Sequence, residues 1–209
     1  EIKGRGSKGN IVTKYTVNRI EFKEKGLSTL KPRKIWFDET IQRLNVDNRG
    51  ELLGEFKGDD SLLIVQQKGI LKTVKPDLNM HFPEDMIILE KWINEKPISA
   101  IYFDGNKDRY FVKRFLAGSQ KVEQQFIPTG SKIQLEMISS DWKPVIETNF
   151  SKTSKGTRDN LTQNIEELIS IKGIKAKGNQ LSSHKIKNIN LLDPIPYTPP
   201  EKTPVMELE

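Results

Sequence analysis

The chain lacks cysteine altogether and holds only two histidines in 209 residues. Without cysteine it can form neither a disulfide nor a thiolate metal site. His81 and His184 lie far apart in the sequence, so a histidine metal pair is not predicted. No apolar run reaches the roughly 18 residues of a membrane-spanning helix, and the first residues lack the pattern of a secretory signal. These absences are compatible with a cytosolic protein that has no membrane partner.

The sequence also lacks the motifs of an enzyme. It contains no serine or cysteine nucleophile motif and no phosphate-binding loop, and no pair of carboxylates is singled out for acid–base chemistry. Residues 104–108 imitate the start of a calcium loop, but Arg109 and Phe115 stand where that loop needs glycine and a bidentate glutamate. We interpret these residues as a turn. A small carbohydrate- or nucleotide-processing enzyme is therefore a hypothesis without supporting residues, and no metal or cofactor is expected.

Clear helical periodicity is missing too, and the one short candidate covers residues 161–168. Strand patterns recur instead, as apolar or alternating runs separated by turns that contain glycine. Hairpins are predicted at residues 61–74, 99–115 and 168–179. In the second hairpin, Asp104-Gly105 is a dipeptide typical of a tight turn with positive φ at both central positions. Further strands are predicted at residues 86–92, 132–138 and 143–150.

These strands recur at intervals of about 40 to 50 residues. Lys96-Pro97-Ile98 and Lys143-Pro144-Val145 are alike and about 47 residues apart, and the first hairpin lies a similar distance earlier. Short strands with such a period are typical of a bladed propeller. A β-sandwich with coincidental spacing is the alternative. We predict one all-β domain of about four blades over residues 1–192, followed by an extended, acidic, proline-rich tail over residues 193–209.

Grouped positive charge is the most informative feature that the chain does have. Lys and Arg number 34 against 28 Asp and Glu, which gives a formal net charge of +6. Ten of these cations, but only three carboxylates, fall within residues 1–34. Two further basic stretches cover residues 107–114 and 172–187. Because grouped cations form a face that attracts a polyanion, the distribution favours nucleic acid as the partner.

The densest basic stretch is the glycine-rich run of residues 3–10, Lys-Gly-Arg-Gly-Ser-Lys-Gly-Asn. Its glycines allow the backbone to approach a ligand closely, and a strand-like stretch, residues 11–17, follows at once. Gly4, Gly6 and Gly9 also fit a dinucleotide-binding fingerprint, but that fingerprint follows a strand and opens a helix, which this context does not supply. A basic tip on an ordinary hairpin is the remaining alternative.

These features resemble the C-terminal domain of the A subunit of bacterial type IIA topoisomerases, gyrase and topoisomerase IV. The resemblance is carried by residues 3–12, by the strand–glycine–strand hairpins that end in basic residues, and by the closing segment of residues 169–179. It covers nearly everything up to about residue 190 and is sharpest at its two ends. It implies a β-pinwheel, which is a propeller whose blades exchange strands and whose rim bends DNA.

Gyrase members of that family carry a basic loop, approximately Gln-Arg-Arg-Gly-Gly-Lys-Gly, and residues 3–9 correspond to it in part. The matches are Arg5, Gly6, Lys8 and Gly9, and the departures are Lys3, Gly4 and Ser7. Because the match is partial, the resemblance favours a topoisomerase IV type of A subunit over gyrase. The strand-cleaving tyrosine of the family belongs to an upstream domain, so no catalytic residue is expected within this chain.

The resemblance and the grouped charge together predict non-sequence-specific binding and bending of duplex DNA. The resemblance also implies an upstream A-subunit body and the topoisomerase B subunit as partners, an ATP-dependent type II topoisomerase as the whole enzyme, and a cytoplasmic, nucleoid-associated location in a bacterium. The alternative is a propeller that docks an acidic protein on the same basic face. The residues predicted to contact DNA are Lys3, Arg5, Lys8, Lys14, Arg19, Lys72, Lys113, Arg114, Lys175, Lys177, Lys185 and Lys187, with Gly4, Gly6 and Gly9 as loop glycines.

Overall fold

The structure is a computed structural model, and it describes residues 6, 11, 13–19, 31–119, 122–154, 156 and 158–198. Within these ranges the chain forms fourteen β-strands and one four-residue helix. No helix in the described part is long and apolar enough to cross a membrane. In chain order the elements are β1 (Arg33–Asp38), β2 (Arg43–Asn45), β3 (Glu51–Phe56), β4 (Leu62–Gln66), β5 (Ile70–Val74), β6 (Met86–Lys91), β7 (Pro97–Asp104), β8 (Arg109–Leu116), β9 (Gln124–Gln125), β10 (Ile133–Ser139), β11 (Val145–Phe150), β12 (Leu161–Asn164), α1 (Ile165–Leu168), β13 (Asn179–Gln180) and β14 (Ile186–Leu192).

The strands form four antiparallel sheets, which follow one another along the chain. Sheet 1 has the order β2-β1-β3, sheet 2 β6-β4-β5-β9, sheet 3 β10-β7-β8-β13 and sheet 4 β12-β11-β14. Sheets 2 and 3 share one plan: a hairpin is flanked on one side by a later strand, and on the other by a two-residue strand that returns from the following sheet. This exchange of strands confirms an all-β, pinwheel-like domain.

Each inner sheet is buried on both of its faces. In β4, Leu62 packs with Ile35 and Phe37 of sheet 1, whereas the next residue, Leu63, packs with Tyr102 and the rest of sheet 3. Successive strand residues point to opposite faces, so this alternation places sheet 2 between two neighbours. Sheet 3 is likewise covered by sheet 4 on its second face. The sheets therefore stack as successive blades, and the two-sheet sandwich alternative is wrong.

The hairpins predicted at residues 61–74 and 99–115 are confirmed as β4–β5 and β7–β8. The tight Asp104-Gly105 turn is wrong, because Asp104 pairs with Arg109 and the positive φ, 51°, belongs to Asp108. The resulting four-residue loop is held by the Asp104 carboxylate, which accepts from the Asn106 amide at 3.1 Å. Gly105 is needed because its amide donates to the Lys132 carbonyl at 2.8 Å, and a Cβ would lie 2.9 Å from that oxygen.

The third predicted hairpin, at residues 168–179, is wrong. Its middle residues pair with β8 through a single bridge between Lys172 and Phe115, and only β13 at its end is a strand. The helix candidate at residues 161–168 becomes strand β12 followed by α1, where Asn164 caps the helix by accepting from the Glu166 amide at 3.0 Å. The strand-like residues 11 and 13–17 carry no strand.

The other strand predictions succeed where the sequence alternates or is apolar. Residues 86–92, 132–138 and 143–150 are confirmed as β6, β10 and β11. The described part of the predicted tail, residues 193–198, forms no strand. It lies against the start of β11, where the Ile195 amide donates to the Lys143 carbonyl at 3.0 Å.

Candidate nucleic-acid interface

A lysine-rich stretch returns from sheet 4 and runs beside β8. We call residues 172–178, Lys-Gly-Ile-Lys-Ala-Lys-Gly, the lysine segment. At its start the Lys172 amide donates to the Arg114 carbonyl at 2.8 Å. Directly after it, Asn179 pairs with Val112 as β13. Both ends of the lysine segment are therefore fixed to the edge of sheet 3, and its lysines lie along that edge.

The backbone of the lysine segment is held from inside by Lys113. This side chain is buried, with its residue 3% exposed. Its Nζ donates to the carbonyls of Ile174 and Ala176, both at 2.7 Å, and to the carbonyl of Phe126. All three donors of the ammonium are thereby used, and burial lowers the pKa of Lys113 to about 8. Because Phe126 follows β9 of sheet 2, one ammonium joins the segments that complete two neighbouring sheets.

Arg114 is buried in the same strand but on the other face. The residue is 5% exposed, and its Nη2 donates to the Trp142 carbonyl at 2.7 Å. Its Nη1 lies 3.7 Å from the Glu166 carboxylate of α1. Burial lowers the pKa of Arg114, against the opposing effect of Glu166. The side chain ties sheet 3 to sheet 4.

The prediction that Lys113 and Arg114 contact DNA is therefore wrong. Neighbouring strand residues point to opposite faces of a sheet. If one face of β8 were open to solvent, either Lys113 or Arg114 would therefore be exposed. Sheet 3, however, lies between sheets 2 and 4, so both side chains are covered. Their hydrogen bonds go to backbone carbonyls and Glu166, and they serve to connect blades.

Two more contacts anchor the end of the lysine segment. The Tyr102 hydroxyl donates to the Lys177 carbonyl at 2.8 Å. Burial, with a smaller effect of Asp104, raises the pKa of Tyr102 to about 12, so the phenol keeps its proton at neutral pH. Gly178 has a φ of +87°, in the left-handed region that favours glycine. A Cβ at Gly178 would lie 2.3 Å from the Val112 carbonyl oxygen, so only glycine allows this approach.

The side chains of the segment point the other way. Lys172, Lys175 and Lys177 are all exposed, while the carbonyls of Ile174, Ala176 and Lys177 accept from buried donors. Carbonyl oxygens would repel a phosphate, and here they are turned inward. The arrangement therefore presents ammonium groups without the competing negative ends of these peptide dipoles.

Lys177 meets a second lysine above the ring of Phe111. The Nζ atoms of Lys177 and Lys107 lie 4.5 and 5.5 Å from the centre of that ring. The neighbouring ammonium of Lys107 lowers the pKa of Lys177. Asp104 lies 3.3 Å from Lys107 and offsets part of this charge. Lys107 was absent from the predicted contacts although it belongs to the basic stretch 107–114. Its position at the tip of a predicted hairpin could have identified it as an exposed cation.

A third group of basic residues lines two adjoining grooves, the first of which lies beside the β7–β8 tip. One groove, of about 200 Å³, has Arg109, His184 and Lys185 in its walls, together with Asp108. The other, of about 670 Å³, shares His184 and Lys185 and adds Arg158 and Asp159. Arg158 and His184 both pack on the ring of Phe150. The Arg158 Cζ lies 5.9 Å from the centre of that ring, and the centre of the His184 ring lies 6.0 Å from it. Arg109 and Arg158 were not predicted as contacts, because only the fold brings them beside Lys185.

A family model described as the topoisomerase C-terminal domain of Bacteroidota matches residues 43–193. The chain belongs to the topoisomerase C-terminal domain family. The match extends from β2 to the residue after β14 and includes the lysine segment and both buried cations of β8. No curated protein and no solved structure matches the chain. The resemblance inferred from the sequence is thus confirmed at the level of the domain family.

The remaining predicted contacts of this topoisomerase domain are scattered. Lys72 is half-buried in β5, with Nζ 3.5 Å from Glu123. Lys187 is exposed in β14, and Lys14 and Arg19 are exposed within residues 13–19. Gly6 is an exposed turn residue. Lys3, Gly4, Arg5, Lys8 and Gly9 lie outside the described residues, so the role of the glycine-rich run stays a prediction.

Among the residues that the structure describes, no group of three or more His, Asp or Glu side chains could hold a metal ion. Two carboxylates near the lysine segment are engaged by cations: Asp104 by Lys107, and Glu166 by both Arg114 and Lys143. What this surface can do chemically is to attract and hold an anion.

Proposed function

We propose that this topoisomerase domain binds the phosphates of duplex DNA and bends it without reading its sequence. The lysine segment is the observation that carries the proposal. From Lys172 to Lys187 the sequence has no carboxylate, and the inward-turned carbonyls leave only cations and small side chains on the outside. A surface of this kind suits a polyanion better than a neutral ligand.

Phosphate contacts of this type give affinity but little specificity. Each lysine that neutralises a phosphate releases condensed counterions, and several such contacts in sequence stabilise a complex strongly at low salt. Bending a short site costs about 1–6 kcal/mol, which the additional contacts along a curved path offset. Lys107 and Arg109 at the β7–β8 tip, with Lys185 and Arg158 beside them, extend the path beyond the lysine segment.

Within the whole enzyme, the proposed setting is the A subunit of an ATP-dependent type IIA topoisomerase in the bacterial cytoplasm, associated with the nucleoid. Its proposed partners there are the upstream A-subunit body and the B subunit. The partial match of residues 3–9 to the gyrase loop supports a topoisomerase IV type. A domain of that type should leave the linking number unchanged when nicked circular DNA is ligated in its presence, whereas gyrase-like chiral wrapping would shift it.

A pair of double variants tests the role of the lysine segment. Lys175→Ala with Lys177→Ala removes two exposed charges from the segment, and Lys34→Ala with Lys68→Ala removes two exposed charges from sheets 1 and 2. We expect the first pair to weaken binding to a random-sequence duplex roughly tenfold at about 0.1 M salt, measured by fluorescence anisotropy, and equally on unrelated sequences. The control pair should change the affinity by less than about threefold.

The same assay distinguishes DNA binding from the alternative function of the basic face, the docking of an acidic protein. A wild-type domain that binds no duplex DNA, even at low salt, would contradict the proposal and favour the docking of an acidic protein. Equal losses for the two double variants would mean that the lysine segment has no special role, and that charge alone attracts the DNA. Circular dichroism and thermal unfolding of each variant confirm that the fold is intact.

A further inference from the structure

A separate cationic groove lies where sheets 1 and 2 meet. Its cations come from three stretches of chain: Lys31 and Arg33 at the start of β1, Lys57 after β3, and Lys75 after β5. Ile35 and Phe56 are part of its lining, and its volume is about 430 Å³. Lys75 follows the end of β5 that is remote from the β4–β5 turn. The groove is therefore at the opposite end of the blades from the β7–β8 tip that carries Lys107 and Arg109.

One of these cations is held in position by the backbone. The Lys75 Nζ donates to the carbonyls of Gly58 and Asp60, at 3.1 and 3.3 Å. A lysine that is already ordered loses less rotamer entropy when it binds a ligand. Gly58, which also lines the groove, places no side chain in it. The groove's volume of about 430 Å³ is large enough for a group with several oxygen atoms.

One carboxylate beside the groove, Asp60, is already paired with a lysine outside the groove. Asp60 lies 2.7 Å from the Lys91 Nζ and accepts from the Lys57 amide at 2.7 Å. Although burial acts to raise it, the pKa of Asp60 is lowered by these hydrogen bonds, so the group stays ionised and its charge is matched by Lys91. Asp59 is the other carboxylate of this turn. Within residues 31–119, the four cations of the groove thus outnumber Asp59 and Asp60, the two carboxylates of this turn.

At the corresponding end of sheet 3, the charge of a lysine is balanced by a carboxylate. There Lys96, just before β7, lies 2.9 Å from the Glu90 carboxylate, and Ser140 accepts from the same ammonium at 3.4 Å. The lysine at that end is neutralised inside the protein. Like charges that converge without such a partner repel one another, and a bound anion removes that repulsion.

We propose that this groove binds a phosphate group, with the Arg33 guanidinium and the Lys57 and Lys75 ammoniums as its ligands. Guanidinium matches phosphate oxygens through two parallel hydrogen bonds, and lysine adds point charge. The phosphate has two possible sources, a small phosphorylated ligand or the backbone of DNA. The second source rests on the proposed function, and the first does not.

The test uses two doubly substituted forms of the full chain. Arg33→Gln with Lys57→Gln removes two charges from the groove, and Lys34→Gln with Lys68→Gln removes two exposed charges outside it. Lys34 points to the other face of β1 from Arg33, because strand neighbours alternate. Thermal unfolding checks the fold of each protein, and Arg33→Gln alone replaces the groove pair if that pair is unfolded.

In the first arm, inorganic pyrophosphate is titrated into ¹⁵N-labelled protein and amide shifts are followed at Gly58 and Arg33. A saturable shift that weakens at least about fivefold in the groove pair, and stays within about twofold in the control pair, identifies a small-phosphate site. In the second arm, the affinity for a duplex of about 40 base pairs is measured against salt. Loss of one or two phosphate contacts makes the log–log slope shallower by about 1–2 in the groove pair alone.

A positive first arm supports the site even if the wild-type domain binds no DNA, which is the outcome that would defeat the proposed function. A positive second arm without a pyrophosphate response identifies DNA as the source of the phosphate. If the groove pair behaves like the control pair in both arms, the groove is not a phosphate site.

Discussion

Sheets 2 and 3 share one strand order, yet the lysines that lie beside their returning segments have different surroundings. In the registers of the two sheets, Gln124 pairs with Leu71 as Asn179 pairs with Val112. Lys72 and Lys113, each one residue further on, therefore occupy equivalent places. Lys72 is half-exposed and lies 3.5 Å from Glu123, whereas the Lys113 ammonium is buried among three carbonyls.

The residue before the returning strand explains this difference. In sheet 2 it is Glu123, whose side chain reaches Lys72 at the surface. In sheet 3 it is Gly178, whose missing Cβ allows the backbone to approach β8 closely. The carbonyls that precede Gly178 then reach Lys113, and the lysines between them face outward. In sheet 2 this position therefore neutralises a surface cation, whereas in sheet 3 it allows a close backbone approach beside lysines that face outward.

Replacing the two equivalent lysines should show the largest contrast. Lys113→Met leaves three buried carbonyls without a donor, so we expect the free energy of unfolding to fall by about 3 kcal/mol or more. Lys72→Met removes a partly exposed ion pair and should cost less than about 1 kcal/mol. Urea denaturation measures both values, and similar losses would contradict the inter-blade role of Lys113.

The two glycines of the lysine segment should also differ. Gly178→Ala forces a Cβ towards the Val112 carbonyl at a positive φ, and we expect it to lower the free energy of unfolding by roughly 2–3 kcal/mol. Gly173→Ala is the matched control, since a Cβ there meets no atom within 4 Å. It should change stability by less than about 0.5 kcal/mol. Both variants keep every charge, so a DNA affinity that falls only in Gly178→Ala isolates the effect of backbone position.

Sequence reasoning succeeded where the signal is local. Apolar runs broken by glycine predicted β4–β5 and β7–β8, and the grouped lysines predicted the lysine segment as a basic surface. It failed where the fold decides: β9 and β13 have only two residues each, and no periodicity marks them. The exposure of Lys113 and Arg114 depends on sheets that cover both faces of β8. Arg158 joins Lys185 only through tertiary packing.

Lys113 and Lys72 should also differ in how they affect the pH dependence of stability. We expect this difference to be smaller than the difference between the two substitutions to Met. The pKa of Lys113 is about 8 in the folded domain, below its ordinary value of 10.5. Between these values the unfolded chain binds a proton that the folded chain has lost, so this group contributes stability that increases as pH rises and is lost as pH falls through 8. From pH 8 to about 9.5 the wild type should gain about 1–2 kcal/mol relative to Lys113→Met.

That comparison is made by urea denaturation at several pH values, with Lys72→Met as the reference. A constant difference between wild type and Lys113→Met across this range would show that the buried ammonium keeps its ordinary pKa.

The smallest contrast concerns bending by the glycine-rich run. Arg5→Ala with Lys8→Ala removes the same charge as Lys175→Ala with Lys177→Ala. Because glycines flank Arg5 and Lys8 and leave little bulk between them and a phosphate, we expect a larger loss of bending from the first pair. End-to-end energy transfer on short duplexes measures it, and equal losses would show that residues 4–9 only add to a diffuse field.

The salt dependence of DNA binding tests the central claim most directly. If the lysine segment and its neighbours neutralise six or more phosphates, log K for a random-sequence duplex should fall with log salt at a slope of about −5 or steeper. The Lys175→Ala and Lys177→Ala pair should make that slope shallower by about 2. A wild-type slope near zero, or a steep slope that this pair leaves unchanged, would contradict the account.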